Sequence, residues 1–425
     1  MRFALHNLGC RVNICEGEAV IGMLKAEGFE EVDFTAQADI YIINTCSVTA
    51  VADKKSRQMI RRAKEIAPDA VVIAMGCFVN TAGDTIEGLP VDLAVGNNEK
   101  SRIPELIKEY FNKNTYLQAK SDIFRQGTPF EVMKLPDVLD HTRAFIKVQD
   151  GCDRFCSYCI IPYARGRARS MPKAAVLDQV RALAGNGYRE IDISGIYLSG
   201  YGADTGSSLI ELLAELQAVE GIGRIRMGSL EPMVMTEDFV REISSMEKLC
   251  PHFHLSLQSG SAGVLKRMNR HYAPAEYEAC VDRLRRYYDT VAITTDVIAG
   301  FPGETEEEFE ETLQFVKKTG FYHMHVFPYS RREGTSAAKM PGQLTAAEKK
   351  KRAGLLIEAS DAMTADFEKS LEGKVLSVLF EKFVNGVNTG HTREYVPVSV
   401  RGADLTGEIR EIIYSSHLAI QELIR

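Results

Sequence analysis

Gly151-Cys152-Asp153-Arg154-Phe155-Cys156-Ser157-Tyr158-Cys159-Ile160-Ile161-Pro162-Tyr163 crowds three cysteines into one short loop, directly after an apolar run at 144–148 that reads as a strand. Three thiolates on one loop can hold three irons of a four-iron cluster. A structural zinc would be closed by four protein ligands, and no fourth Cys or His follows at zinc-finger spacing. The remaining iron is left to an outside chelator, and an amino acid carrying both amine and carboxylate meets that need. Buried cysteines seldom cluster this tightly through packing alone.

The loop sits near the start of a regular alternation. Strand-like runs at 144–148, 190–193, 224–227, 254–257, 291–297 and 322–326 are separated by helical stretches, including those at 173–184, 208–219, 275–287 and 305–318. Six strand–helix units in a row predict a partial barrel built like the complete eight-unit one, with its site at the C-terminal ends of the strands. Upstream, apolar runs at 3–5, 40–43, 71–75 and 91–95 alternate with amphipathic stretches, which predicts a doubly wound parallel sheet. A polar stretch at 112–126 reads as a linker. Downstream of a charged helical stretch at 345–369, short β-rich runs at 374–382, 393–400 and 408–414 predict a small antiparallel barrel or sandwich. The fold class is therefore α/β, with expected domains at 1–125, 138–368 and 369–425.

A second set of cysteines follows the upstream strands. Cys10, Cys46 and Cys77 each come just after an apolar run, at the C-terminal edge where open parallel sheets bind ligands. Three ligands with no fourth again suit a cluster with an open iron. Cys15 reads as a helix-start thiol, and Cys250 and Cys280 as packing residues. Nine cysteines in a chain with no signal segment, and no run of roughly 20 apolar residues, favour metal chemistry in a cytoplasmic protein over a disulfide framework or a membrane span. The net charge of −7 gives no global attraction to nucleic acid, so any RNA contact falls to local basic runs. One run is Lys54, Lys55, Arg57, Arg61, Arg62 and Lys64; the other is Arg165, Arg167 and Arg169.

The Cys-x3-Cys-x2-Cys loop, with an aromatic before its last cysteine, is similar to the radical S-adenosylmethionine signature. The small-residue turn Asp296-Val297-Ile298-Ala299-Gly300-Phe301-Pro302-Gly303 closes a strand and opens a helix, as in that family's cofactor site. With Leu8-Gly9-Cys10-Arg11-Val12-Asn13, Tyr163-Ala164-Arg165-Gly166 and His254-Leu255-Ser256-Leu257-Gln258-Ser259-Gly260-Ser261, the whole chain resembles the radical methylthiotransferases. That resemblance implies two [4Fe-4S] clusters, one held by Cys152, Cys156 and Cys159 and one by Cys10, Cys46 and Cys77. It implies S-adenosylmethionine held near Tyr158, Ser194, Gly195, Ser229, Glu231, Gln258, Asp296, Ile298 and Gly300. One copy of the cofactor would be cleaved to a deoxyadenosyl radical, and another would methylate a sulfur on the second cluster.

The implied substrate is adenosine 37 of tRNA, in the anticodon stem-loop, with Arg165, Arg167 and Arg169 meeting phosphates and the tail acting as a TRAM-like RNA-binding module. The text around Cys10 and at 256–261 looks like the threonylcarbamoyladenosine branch, with the isopentenyladenosine branch and a ribosomal-aspartate branch as alternatives. A flavodoxin-type or reductase electron donor and a monomeric state are expected. A redox-sensing iron–sulfur RNA-binding protein without turnover is the alternative of another class.

Overall fold

The computed structural model describes residues 1–125, 127–139, 141–417 and 420–423. Residue 126 of the expected linker, residue 140 of the expected central domain and residues 418, 419, 424 and 425 of the expected tail lie outside the described residues. The N-terminal unit is a six-stranded, all-parallel sheet of β1 (Arg2–Asn7), β2 (Glu30–Glu31), β3 (Ile40–Thr45), β4 (Val71–Gly76), β5 (Leu93–Val95) and β6 (Leu117–Ala119), in the order β2-β1-β3-β4-β5-β6. Strands β3 and β4 are buried along their whole length, as central strands covered on both faces must be. Alternate residues feed two cores: Tyr41, Ile43, Val72 and Ala74 pack on one face, and Ile40, Ile42, Ile73 and Met75 on the other. β6 falls inside the stretch expected to be a linker. Its three residues are too few to carry a periodic signal.

The central unit contains β7 (Ala144–Asp150), β8 (Arg169–Ser170), β9 (Glu190–Gly195), β10 (Arg224–Met227), β11 (His252–His254), β12 (Ala292–Ala299) and β13 (His323–Pro328). Strands β7, β9 and β10 run parallel, as do β11, β12 and β13. Parallel bridges Ile225↔Leu249 and Leu230↔Leu255 join the two sheets into one open barrel. The short β8 pairs antiparallel to β7. Ile191, Ile193, Ile225 and Met227 enter the main hydrophobic core, while the intervening Glu190, Asp192, Arg224 and Arg226 lie on the opposite, polar face.

The tail is an antiparallel sheet of β14 (Val375–Val384), β15 (Val387–Thr392), β16 (Pro397–Arg401), β17 (Ile409–Ile413) and β18 (Glu422–Leu423), ordered β16-β15-β14-β17-β18. A bridge between Val400 and Gln421 brings the two edges together, so the sheet curls into a barrel. It docks at the N-terminal ends of the central strands. There Arg226 donates to the carbonyls of Thr392 (2.6 Å) and Arg393 (2.9 Å), and Arg224 donates to Ser377 (2.8 Å). Tyr395 lies stacked between His391 and His252, with Arg143 and Arg226 over its ring.

Candidate functional site

The loop after β7 turns sharply at Gly151, whose φ of +69° suits glycine; a Cβ there would lie 1.9 Å from the Arg167 carbonyl oxygen. The Cys152 amide donates to the Gly166 carbonyl at 3.0 Å, which ties the loop to the end of helix Ile161–Arg165. Cys152, Cys156 and Cys159 are half-buried and close enough to raise the cost of ionising one another. Burial, followed by those neighbours, pushes Cys152 to about 11 and Cys159 to about 12. Metal loading at this loop must therefore displace protons.

Arg270, beyond helix Ala262–Arg267, donates to the Cys156 sulfur at 3.4 Å. Glu231 is clamped between Arg270 (3.4 Å) and Arg154 (2.6 Å), and Arg154 also donates to the Tyr197 hydroxyl at 2.5 Å.

The remaining residues singled out for the cofactor lie at the same end of the barrel. Ser194 and Gly195 close β9; the Ser194 hydroxyl donates to Asp192 at 3.2 Å, and Gly195 packs on Gln149. Ser229 is exposed just past β10. Gln258, with φ of +69°, is bridged to β12 through its amide to Asp296 and its carbonyl to Ile298. The Asp296 carboxylate lies 3.2 Å from His254, and the Gly300 amide donates to Glu304 at 2.9 Å. Tyr158 sits edge-on to Phe301. These residues all lie at or just past the C-terminal ends of barrel strands, and Glu231 is committed to its arginines.

Cys10, Cys46 and Cys77 follow β1, β3 and β4, three adjacent strands. Cys10 caps the N-terminus of helix Arg11–Ala26, where the helix dipole favours a thiolate. A Cβ on Gly9 would meet the Cys46 sulfur at 3.1 Å, so the first two loops touch. Cys10 is reached by solvent yet ringed by protein, and burial raises its thiol; burial likewise pushes Cys46 to about 11. Both thiols feel Cys77, and Cys46 also feels Cys10. Asn97 reaches the Cys77 sulfur at 3.7 Å.

Among the described residues no three His, Cys, Asp or Glu side chains converge tightly enough to hold a single metal ion. A cubane takes each thiolate on a different corner iron, so both triads suit a cluster better than a lone ion. The thiol donor set, and a buried guanidinium nitrogen without a partner beside the second triad (Arg165 Nε), fit an anionic cluster.

The arginine run 165–169 corrects the sequence expectation. Arg165 is fully buried and Arg169 nearly so; neither is open to a phosphate. Arg165 donates to Glu16 (2.9 Å), Asp150 (3.0 Å) and Asn13 (2.8 Å), and Arg169 to Asp150 (3.2 Å). Only Arg167 is exposed, and it pairs with Asp153. Arg165 ends helix Ile161–Arg165 and Arg169 opens β8, both turned into the interior, while Arg167 lies in the exposed connection between them.

Lys100 and Lys147 complete this buried knot through Glu16, at 2.6 and 2.7 Å. Sequence reasoning missed Asn97, Glu16, Lys100, Arg154 and Arg270. Asn97 alone had a usable signal, because it follows β5 at the same sheet edge as the cysteines.

Arg11, next to Cys10, crosses to the central unit, where it donates to Asp192 at 2.5 Å and to the Tyr395 hydroxyl at 3.4 Å. One residue thus touches all three units. Between the N-terminal and central units opens a cleft of about 430 Å³, lined by Arg57, Tyr163, Ile160 and Arg332 among others. The basic face of helix Ala50–Ile66 stays exposed at Lys54, Lys55, Arg61 and Arg62.

Residues 146–316 match the family model described as the radical SAM superfamily, and residues 2–96 that of an uncharacterized protein family, UPF0004. The chain is 39% identical over 418 residues to the threonylcarbamoyladenosine tRNA methylthiotransferase MtaB of Bacillus subtilis, covering 96% of this chain and 92% of that one. It is 38% identical over 416 residues to the protein of the same name from Aquifex aeolicus, covering 97% and 100%. A tRNA-2-methylthio-N(6)-dimethylallyladenosine synthase from Caldicellulosiruptor saccharolyticus is 34% identical over 410 residues, covering 93% and 86%. Among solved structures, the radical S-adenosylmethionine methyltransferase TsrM from Kitasatospora setae shares the fold at a TM-score of 0.59 and 14% identity, covering 91% of this chain and 76% of that one.

Proposed function

The chain belongs to the radical S-adenosylmethionine methylthiotransferase family, and on that footing we propose that it adds a methylthio group to C2 of N6-threonylcarbamoyladenosine 37 in tRNA. The observation that carries this reading is the pair of cysteine triads, one on each of two packed α/β units, with Arg11 and Arg165 joining the units between them. When bound, two [4Fe-4S] clusters and S-adenosylmethionine would supply the radical and the sulfur for a C–H bond that acid–base chemistry cannot open.

Cys152, Cys156 and Cys159 would hold the radical-generating cluster within residues 138–368, and Cys10, Cys46 and Cys77 the sulfur-bearing one within residues 1–125. The chain's own residues orient and insulate these groups. Arg270 donates to one ligand sulfur and keeps Glu231 from facing the cluster as a free charge. Tyr158, Ser194, Gly195, Ser229, Gln258, Asp296, Ile298 and Gly300 would meet the cofactor from the C-terminal ends of the barrel strands. A flavodoxin-type or reductase donor supplies the electron.

A base in an anticodon loop can be splayed out and stacked on aromatic side chains. The cleft at Arg57 and Tyr163, with Phe124 and Tyr163 44% and 40% exposed, offers such a surface beside the basic face of helix Ala50–Ile66. With Arg165 and Arg169 buried, that face takes over the phosphate contacts, and the tail at 369–425 serves as the second RNA-binding module.

The test is turnover by the anaerobically reconstituted protein with reductant, S-adenosylmethionine and tRNA carrying the threonylcarbamoyl group. The expected products are 5′-deoxyadenosine and the methylthio nucleoside, read by mass spectrometry. Product only on isopentenyladenosine tRNA moves the enzyme to the other branch; no 5′-deoxyadenosine at all leaves an iron–sulfur RNA-binding protein without turnover.

A further inference from the structure

Six charged side chains meet in the interior between helix Arg11–Ala26 and strand β7, and their charges do not balance. Glu16 and Asp150 are the two carboxylates; Lys100, Lys147, Arg165 and Arg169 are the four cations, and every one of the six is buried. Glu16 takes Arg165, Lys100 and Lys147, while Asp150 takes Lys147, Arg165 and Arg169 at 2.7–3.2 Å. Half-buried Glu131 acts on both lysines from the rim and offsets part of the surplus. An uncompensated buried cation is strongly destabilising, so a second source of negative charge is called for.

That source is adjacent. Arg165 acts on Cys10 and Cys46 and is itself acted on by Cys77, and its Nε has no partner among the described residues. Asn13 couples the two groups further: it accepts from Arg165 at 2.8 Å and lies 3.6 Å from the Cys10 sulfur. Asn97, which reaches the Cys77 sulfur, also accepts from Lys100 at 2.6 Å. The positive knot is thus wired to two of the three thiols of the N-terminal triad.

We propose that Arg165 is the counter-charge of the cluster held by Cys10, Cys46 and Cys77, a positioning residue that raises the cluster's reduction potential while locking its domain to the barrel. The inference rests on the reading that this triad holds a second cluster. Three thiolates outweigh the charge of the oxidised cubane, so the loaded site is anionic and becomes more so when it gains an electron. A fixed buried cation favours the reduced form, and net charge with hydrogen bonding is among the levers that set such potentials. Loading the site then completes the charge balance at the interface, which couples cluster binding to domain docking.

The test uses the full-length chain with Cys152, Cys156 and Cys159 replaced by alanine, so that one cluster reports. After anaerobic reconstitution, iron is counted and the midpoint is read by EPR during titration with dithionite, the electron source. Arg165→Gln is expected to lower the midpoint enough to shift the oxidised-to-reduced ratio about tenfold or more, which is about 59 mV for one electron. Arg165→Lys keeps the charge but loses the fork, and is expected to stay near the parent. Glu131→Gln removes a rim anion, leaves the knot intact and is expected to move the midpoint upward, so a reading survives even where Arg165→Gln fails to fold.

If Arg165→Lys falls as far as Arg165→Gln, the residue acts by shape and the counter-charge role is wrong. Midpoints unmoved in all three variants overturn the inference alone, since iron would still show a second cluster. A parent that binds no iron overturns both the inference and the two-cluster reading beneath it.

Discussion

Arg270 shows how a single side chain tunes a cysteine loop without belonging to it. Its charge-assisted bond to the Cys156 sulfur and its pairing with Glu231 bring charge compensation to the loop from a different element. Arg270→Gln is expected to reduce 5′-deoxyadenosine formation by about 10–100-fold, the usual loss when a ligand's supporting hydrogen bond is removed. Unchanged yield under saturating S-adenosylmethionine and reductant would show the bond to be idle. Gly151→Ala tests the loop itself, because the added carbon would strike the Arg167 carbonyl rather than a side chain able to yield. The expected outcome is lost iron at the central site, measured against a chain with alanine at Cys10, Cys46 and Cys77, with far-ultraviolet dichroism preserved. At this scale Cys10, Cys46 and Cys77 were legible as candidates because each follows an apolar run at a strand's C-terminal edge, and Cys152, Cys156 and Cys159 because of their tight spacing on one loop. Arg165 and Arg169 were not. A basic run reads as solvated surface or phosphate contact, and nothing local announces that Arg165 pairs with Glu16, far away in the chain, or that both arginines pair with Asp150.

Helix Arg11–Ala26 is the element on which the two α/β units join. Its apolar stripe is legible from 19–26, but its first turns carry Asn13 and Glu16, buried polar residues that break the stripe and hid the helix start from periodicity. The short strands β2 and β6 were missed for a related reason: two or three residues make no pattern, and the neighbouring strand places them. Burial alone would raise Glu16 and Asp150, but the surrounding cations, with Arg165 and Lys147 foremost, hold both below the usual carboxylate range. A carboxylate depressed in the folded state contributes stability that is complete above its unfolded pKa of about 4 and is lost as pH falls below it. The melting temperature should therefore hold from pH 7 to about pH 5 and drop steeply in more acid buffer. Glu16→Gln is expected to cost about 3–5 kcal/mol at neutral pH, by stranding buried cations, and to flatten the acid slope. Equal slopes for the two proteins would mean that other groups drive acid unfolding.

The order of the three units along the chain follows from where the patterns change, but their mutual placement does not, because no periodicity spans two domains. The tail's β-rich runs predicted a barrel or sandwich, and the Val400↔Gln421 bridge selects the barrel. Its docking site depends on the paired arginines of β10, which by residue type alone would be candidates for a substrate pocket. Arg226, with a side chain only 1% exposed, holds Glu190 at 2.7 Å and spends its two remaining nitrogens on carbonyls of the tail. The tail thus closes the end of the barrel opposite the Cys152 loop, and under the proposed function an anticodon arm resting on it would span the molecule to present its base at the other end. Arg226→Met removes the anchor and leaves two tail carbonyls and part of Glu190 unpaired, while the cysteine loops are untouched. Limited proteolysis is then expected to cut between helix Ala346–Ser370 and β14, releasing the tail, and tRNA methylthiolation is expected to fall with it. Uncoupled 5′-deoxyadenosine formation should persist, because that chemistry belongs to the opposite end. A tail that stays protease-resistant with full tRNA turnover would place the anchor elsewhere, at the Tyr395 stack and the Arg143–Glu381 pair.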